Sequence, residues 1–431
     1  MSSERRPWNP DPAWADPLIA TLVLLCLLAS AMALATRHRN ATRPPRTVTL
    51  QGRMLDLAFG AQVALGSPAR KVPAPADLPN AWDRALAAVL AAETGAPEPA
   101  RRLAQTEPQD ASFRAAFDAA YIDHTSGTLA PVVREGLGSG LAARLLEARL
   151  APEGTRASAR KAAIEGFQSR IAGFLLLMAL ATFLGLGGVA YGIILATRWP
   201  KPAPEGPRFP LPGRAVALAF LSWFTGFFLL SFLLSGLVGN LPGLRPWALP
   251  LTYASQAAWG LWLVLQATGL SFRELKARLC PGTWGSVLPH ALGGWGLSLV
   301  SILLLGLLLS PLLRGKASPQ EELVEGLRAA HGPAALALFL TVAVLAPCFE
   351  ELMMRGFLLG HLRTRWKVLP AVVTTALLFG FIHLQPLAMP TLSALGALMG
   401  LLVLRTGDLR ASILLHGAWN GSIFLLVRAL G

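Results

Sequence analysis

Charged residues are scarce in this 431-residue chain, where aspartate, glutamate, lysine and arginine together make up 14% of the positions. Globular proteins average about 25% charged residues. The deficit excludes a disordered protein and argues strongly against a water-soluble enzyme of this length. Cysteine is scarce as well. Cys26, Cys280 and Cys348 lie far apart with no C-x-x-C pair, so the sequence indicates neither a disulfide framework nor a thiolate metal site.

Apolar residues make up 53% of the chain and are concentrated in long runs. A run of about 20 apolar residues spans the hydrocarbon layer of a bilayer. The fold class that this predicts is all-α: a polytopic membrane helical bundle of about eight to nine spans, with an N-terminal extramembrane helical insert. The predicted spans are 18–35, 171–197, 215–238, 250–270, 286–311, 334–362, 368–384, 391–405 and 411–430.

The pattern divides the chain into three parts. Residues 1–35 form an N-terminal anchor or signal-like span; its Ala-Met-Ala-Leu-Ala ending could be cleaved, but its length favours a retained anchor. Residues 36–170 hold more than half of the aspartate and glutamate and show helical periodicity, which predicts an extramembrane, mostly helical insert. Residues 171–431 form the polytopic membrane domain.

The net charge of +14 does not indicate nucleic-acid binding, because the basic residues are spread over short links between apolar runs. The links between spans are alternately richer and poorer in basic residues, and the positive-inside rule places the richer links on the cytoplasmic side of the membrane. We therefore expect a cytoplasmic N-terminus, an exported insert and a multi-pass protein of a bacterial inner membrane. The basic links assigned to the cytoplasm are at 198–214, 273–278, 363–367 and 405–410.

Ionisable residues inside apolar spans are costly, so each is a functional-site hypothesis by default. Glu350, Glu351 and Arg355 lie within one such run. Adjacent residues on a helix point about 100° apart, whereas residues at i and i+4 share a face. We expect Glu351 to pair with Arg355 and Glu350 to face elsewhere. A helix-stabilising ion pair at the water interface would explain the same pattern.

Two further polar groups follow on the next apolar segments. His383 ends a span, and its imidazole could act as a base or as a ligand. His416 and Asn420 are at i and i+4, so they share a helical face and could direct N–H donors to one point. Taken singly, each has a simpler explanation, namely an interfacial histidine and an interhelical hydrogen-bond pair.

Taken together, these residues suit hydrolysis. A carboxylate and an imidazole can hold and deprotonate a water molecule, while a second imidazole and an amide can stabilise the oxyanion that forms on the attacked carbonyl. Two histidines and a carboxylate also form an established catalytic zinc set, so Glu350, His383 and His416 could instead hold Zn²⁺. These alternatives stay open on the sequence.

The ordered motifs E-E-x-x-x-R at 350–355, F-x-x-x-H at 379–383 and H-x-x-x-N at 416–420 resemble the CPBP family of intramembrane proteases. That family includes the type II CAAX prenyl endopeptidases and the Abi proteins. The flanking Arg355-Gly356-Phe357 and Leu404-Arg405-Thr406-Gly407 resemble its usual context. The resemblance covers about 210–431 and is strongest over 345–421.

The resemblance implies a role for each matching residue. Glu350 and His383 would activate the water, and His416 and Asn420 would stabilise the oxyanion. Glu351 and Arg355 would support the helix and orient Glu350. The implied mechanism is either metal-dependent or of a metal-free glutamate type. The implied partners are the lipid bilayer and a membrane-associated or prenylated-like peptide or protein substrate, with no nucleic acid.

Two other functions compete with a protease. A non-catalytic immunity or scaffold protein of the same fold would tolerate Glu350→Gln and His383→Ala. A transporter would line a pathway with ionisable residues between internal repeats. The earlier spans carry almost no charge, and no repeat pairs the Glu350 segment with any of them, which disfavours a transporter.

Overall fold

The fold was examined in a computed structural model, which describes residues 7–41, 47–64, 78, 80–95, 111–198, 206–241, 243–313, 327 and 330–430. All regular secondary structure in these ranges is helical. The predicted all-α membrane bundle is therefore confirmed. Fifteen segments are numbered here in chain order: α1 Pro12–Ala41, α2 Leu50–Ala64, α3 Ala81–Glu93, α4 Ala111–Tyr121, α5 Pro131–Leu137, α6 Leu141–Leu150, α7 Arg156–Thr197, α8 Gly213–Gly239, α9 Ala248–Thr268, α10 Phe272–Leu279, α11 Trp284–Leu313, α12 Gly332–Leu362, α13 Val368–Ile382, α14 Met389–Thr406 and α15 Arg410–Leu430.

Among the described residues, six helices are long and apolar enough to cross a membrane: α1, α7, α8, α11, α12 and α14. Helix α13 is apolar but shorter, with 15 residues. Helices α9 and α15 coincide with predicted spans but fall outside the six, because polar residues such as Gln256, His416 and Asn420 lower their hydropathy. Large apolar side chains are exposed on the candidate spans, among them Phe183, Phe232 and Leu308, as expected of surfaces that contact lipid.

The chain separates into two compact units. The first comprises 1–38, 181–309 and 329–424, and the second comprises 39–180, 310–328 and 425–431. Helix α7 runs without a break through position 170, where the sequence predicted that the insert ends. The candidate catalytic residues all belong to the first unit.

The second unit has a helical core of its own, built on aromatic residues of α3 and α4 such as Trp82, Phe113 and Phe117. Buried acidic residues fix the ends of its helices. Asp56 on α2 accepts hydrogen bonds from the backbone N–H groups of Leu141 (2.6 Å) and Ala142 (2.8 Å), at the first turn of α6. The first N–H groups of a helix have no partner within the helix, so this carboxylate replaces a local cap.

Burial raises the pKa of Asp56 to about 6, although the two backbone N–H groups act in the opposite direction. Glu93 is also buried in this unit, where it accepts from Arg149 at 2.8 Å and from Arg160 at 3.0 Å. Tyr121 Oη donates to the same carboxylate at 3.1 Å. The acidic residues that mark the insert in the sequence thus hold helices together.

The second half of the chain supplies most of the core of the first unit. Its core contains Met353 and Phe357 of α12, Phe379 of α13, Met399 of α14 and Leu415 of α15, all fully buried. Helices α13 and α14 form an antiparallel hairpin across a short turn, and α12 contacts both. This packing brings the three polar motifs, which are far apart in sequence, into one region.

Candidate active site

Helix α12 departs twice from α-helical geometry, with π-helical segments at Thr341–Leu345 and Leu352–Leu358 on either side of Glu350 and Glu351. In the first segment the N–H of Ala346 donates to the carbonyl of Thr341, five residues back. The next position is Pro347, which has no N–H to donate to Val342. The Val342 carbonyl therefore lacks a backbone donor within the helix. Such π-helical turns are frequent at functional sites.

Asn420 supplies the missing donor, since its Nδ2 lies 2.8 Å from the Val342 oxygen. Helix α15 reaches α12 here because residue 417 is glycine: a Cβ at Gly417 would lie 2.5 Å from the Ala343 oxygen. The side chains of His416 and Asn420 are consequently held against α12, one on each side of this backbone contact.

Glu351, Arg355 and His416 form a buried charged cluster. Glu351 Oε1 accepts from Arg355 Nη1 at 2.8 Å, and His416 Nδ1 lies 3.0 Å from the same oxygen. Glu351 and Arg355 are fully buried, and His416 is 3% exposed. The i, i+4 pair expected from the sequence is confirmed. The pair is completely buried, whereas the alternative explanation requires an ion pair that is exposed at the water interface.

Arg355 also ties α12 to the hairpin of α13 and α14. Its Nη2 donates to the Gly396 carbonyl at 3.0 Å, and its guanidinium lies 4.3 Å from the centre of the Phe379 ring. A planar guanidinium can make both contacts at once, which an ammonium group cannot. The orientation of Glu351 is thus set by contacts from three other helices.

His383 lies at the end of α13 and is partly buried. Its Nδ1 is 2.6 Å from the Phe379 carbonyl, four residues back. The Phe379 ring contacts both His383 and His416 edge-on, with centroid distances of 4.8 Å and 5.6 Å. The charge of Glu350 acts on His383, so these groups share one electrostatic environment.

Glu350 takes a different position from Glu351. Its Oε2 is 3.9 Å from Nε2 of His416, beyond hydrogen-bond distance, and the residue is 9% exposed. His416 therefore lies between the two carboxylates, with Nδ1 towards Glu351 and Nε2 towards Glu350. The structure brings Glu350, His383 and His416 into one cluster. Asn420 contacts the backbone beside it and keeps a second amide hydrogen available.

The residues do not fit the zinc site that the sequence allowed. Within the described ranges, no group of three or more histidine, cysteine, aspartate or glutamate residues is arranged to hold a metal ion. We therefore derive no step through a metal from Glu350, His383 and His416.

Sequence reasoning missed several contributors. Pro347 and the Val342 carbonyl explain the position of Asn420, but a backbone acceptor leaves no signal in a sequence. Gln256 on α9 did leave one, because it is polar and lies within an apolar run. It is fully buried, and neither of its amide atoms has a hydrogen-bond partner within the described protein. It shares a helical face with Gly260, which approaches Phe349 beside Glu350.

Residues 332–422 match a family model described as Rce1-like, type II CAAX prenyl endopeptidase Rce1-like. The matched segment contains all six residues that the sequence singled out, from Glu350 to Asn420. The resemblance to the CPBP and CAAX protease family is thereby confirmed for this part of the chain. No curated protein and no solved structure matches the chain.

Proposed function

We propose that the chain is an intramembrane endopeptidase of the CAAX-protease type, which hydrolyses a peptide bond in a membrane-associated or prenylated-like substrate. Two independent findings support this. Residues 332–422 resemble a family of membrane-embedded proteases. The residues that match its motifs converge on one buried cluster, although they come from three separate helices.

The observation that carries the proposal is the separation of Glu350 Oε2 and His416 Nε2. At 3.9 Å these atoms are too far apart for a direct hydrogen bond. One water oxygen can lie at hydrogen-bond distance, about 2.8 Å, from both of them. A water held there would contact a carboxylate able to accept its proton, with His383 in the same electrostatic environment.

In the proposed mechanism, Glu350 removes a proton from this water as its oxygen attacks the carbonyl carbon of the substrate. The carbonyl double bond opens to an oxyanion, which accepts hydrogen bonds from His416 Nε2–H and from the second N–H of Asn420. The oxyanion then collapses, the C–N bond breaks, and Glu350 returns its proton to the leaving amine. His383 orients the water and the carboxylate.

The charges of the cluster favour these roles. Glu351 and Arg355 carry opposite charges and form an ion pair of 2.8 Å with both side chains fully buried. Buried charges are stable only when they are compensated in this way. His416 contacts Glu351 through Nδ1, so its Nε2 is left to face Glu350 and the reacting group.

Terminal-peptide proteomics on host membranes tests the proposal. Wild type would be compared with Glu350→Gln and His383→Ala, and with Glu165→Gln, an exposed carboxylate on α7, as the matched control. Removal of a general base lowers the rate by about 10²–10⁴. We expect a common set of new peptide termini to disappear in both site variants and to persist in the control.

Expression and unfolding midpoints of all variants would be matched first, so that a loss of termini reports chemistry. If both site variants retain every terminus and also rescue the phenotype of a knockout, the proposal is wrong. The non-catalytic immunity or scaffold function would then replace it.

A further inference from the structure

A second site lies where α7 enters the apolar part of its sequence. Arg170 is the last charged residue before the uncharged stretch 171–197, and Arg198 is the next. A stretch of this length spans the hydrocarbon layer, so Arg170 is placed at the level of the lipid headgroups. This position follows from the single continuous helix Arg156–Thr197.

Two guanidinium groups converge on one backbone carbonyl at this level. Arg144 Nε and Arg170 Nη1 each lie 3.4 Å from the Ser139 oxygen, and Arg170 Nη1 is 3.5 Å from Ser139 Oγ. Their positive charges act on each other. The nearby carboxylate of Asp56 is already engaged with the backbone N–H groups of α6. The charge of Asp56 still acts on Arg170, but the hydrogen bonds of both guanidinium groups to Ser139 are long and weak.

A cavity of about 680 Å³ opens beside this pair. Gly138, Ser139 and Arg144 line it on the side of the pair. Its other charged lining residues are Arg134 and Glu147, which neutralise each other in an ion pair of 2.7 Å, and the exposed Glu135. Ser139 is exposed, and its hydroxyl hydrogen can donate to a ligand. The cavity is thus mainly apolar, with Ser139 and Arg144 as donors at the edge that is nearest to α7.

We propose that Arg144, Arg170 and Ser139 bind the phosphate group of an anionic phospholipid headgroup. Guanidinium groups bind phosphate oxygens with short, charge-assisted hydrogen bonds. A phosphate bridging the two arginines would relieve their repulsion, while the acyl chains would extend along the apolar surface of α7. Leu175 and Leu176, one to two turns further along, are exposed on that helix.

The test uses the purified full-length protein in a neutral detergent. Its unfolding midpoint would be measured while short-chain phosphatidylglycerol, phosphatidylcholine or inorganic phosphate is added, because a ligand that binds the folded state raises the midpoint. The variants are Arg144→Gln, Arg170→Gln and the conservative Arg144→Lys. Lys161→Gln is the control, since Lys161 is an exposed cation on the same helix that pairs only loosely, at 3.7 Å, with Glu165.

We expect phosphatidylglycerol to raise the midpoint of the wild type and of Lys161→Gln equally. Each glutamine variant should weaken its apparent affinity by roughly 10-fold or more, the effect of losing one charge-assisted contact. The apparent affinity of Arg144→Lys should lie between those of the wild type and Arg144→Gln, which would show that a charge alone is insufficient. Equal effects of phosphatidylcholine, or unchanged affinity in both glutamine variants, would overturn the proposal. Stabilisation by inorganic phosphate alone would overturn the lipid source.

Discussion

Pro347 and Asn420 provide the sharpest test of how the site is held together. Asn420 donates to the Val342 carbonyl, which Pro347 leaves without its backbone donor. Removing the amide in Asn420→Ala should leave that carbonyl unpaired, at a cost of about 1–3 kcal/mol in unfolding free energy. Pro347→Ala restores an N–H at the position from which a π-helical bond to Val342 forms. The double variant should therefore regain most of that loss.

The unfolding free energy would be measured by denaturant titration in mixed micelles, and the coupling would be taken from the full double-mutant cycle. A coupling of about 1 kcal/mol or more is expected, because the two changes act on the same carbonyl. If the two changes add without coupling, the explanation of the Asn420 contact is wrong.

The same four proteins separate structure from catalysis. Loss of one oxyanion donor lowers the rate by about 10²–10³. Cleavage of the substrate that terminal proteomics identifies should fall by this factor in Asn420→Ala and stay low in the double variant, although its stability has recovered. Recovery of cleavage together with stability would refute the catalytic role and leave Asn420 as a support for the α12 backbone.

Three further predictions concern buried polar groups. Because burial raises the pKa of Asp56 to about 6 from an ordinary 3.8, the folded protein binds a proton in this range that the unfolded chain releases. The stability of the segment 137–150 should therefore rise by on the order of 2 kcal/mol as the pH falls from 7 to 4. Hydrogen exchange of its backbone amides, corrected for intrinsic rates, measures this stability, which should not change with pH in Asp56→Asn. Gln256→Leu should raise the unfolding free energy by about 1–3 kcal/mol, because it removes two buried groups without partners; a lower value in micelle titrations would show that the amide has a partner. Arg355→Met should cost about 3–5 kcal/mol by removing the arginine partner of the buried Glu351 and leaving it only His416, and adding Glu351→Gln should recover part of it; the absence of recovery would mean that the contacts with Gly396 and Phe379 dominate.

The sequence predicted most of the fold because membrane helices satisfy their backbone hydrogen bonds internally, so apolar length alone reveals them. This reasoning located every helix from α7 to α15 except α10, which is a short amphipathic helix without a span-length run. It predicted a mostly helical insert, but not how the helices of the insert pack together. The core of α3 and α4 and the capping of α6 by Asp56 depend on contacts between distant residues.

Some features of the candidate active site could likewise be predicted from the sequence, and others could not. The pairing of Glu351 with Arg355 was predictable, because it follows from helical periodicity within one element. The sequence also singled out His383, His416 and Asn420 as costly polar residues in apolar surroundings. What the sequence could not show is which contacts hold these two side chains in place. In the structure His416 contacts the carboxylates, while Asn420 donates to Val342.

The sequence by itself therefore determined that this is a polytopic helical protein, which residues are chemically notable, and which of them share a helix face. These properties depend on composition and on spacing along one helix. Only the tertiary structure decided that His416 lies between Glu350 and Glu351, that Arg355 anchors to α14, and that α12 is π-helical beside Pro347. Those features arise where the backbones of separate helices meet, as Gly417 allows at Ala343, and no pattern within a single segment encodes such a contact.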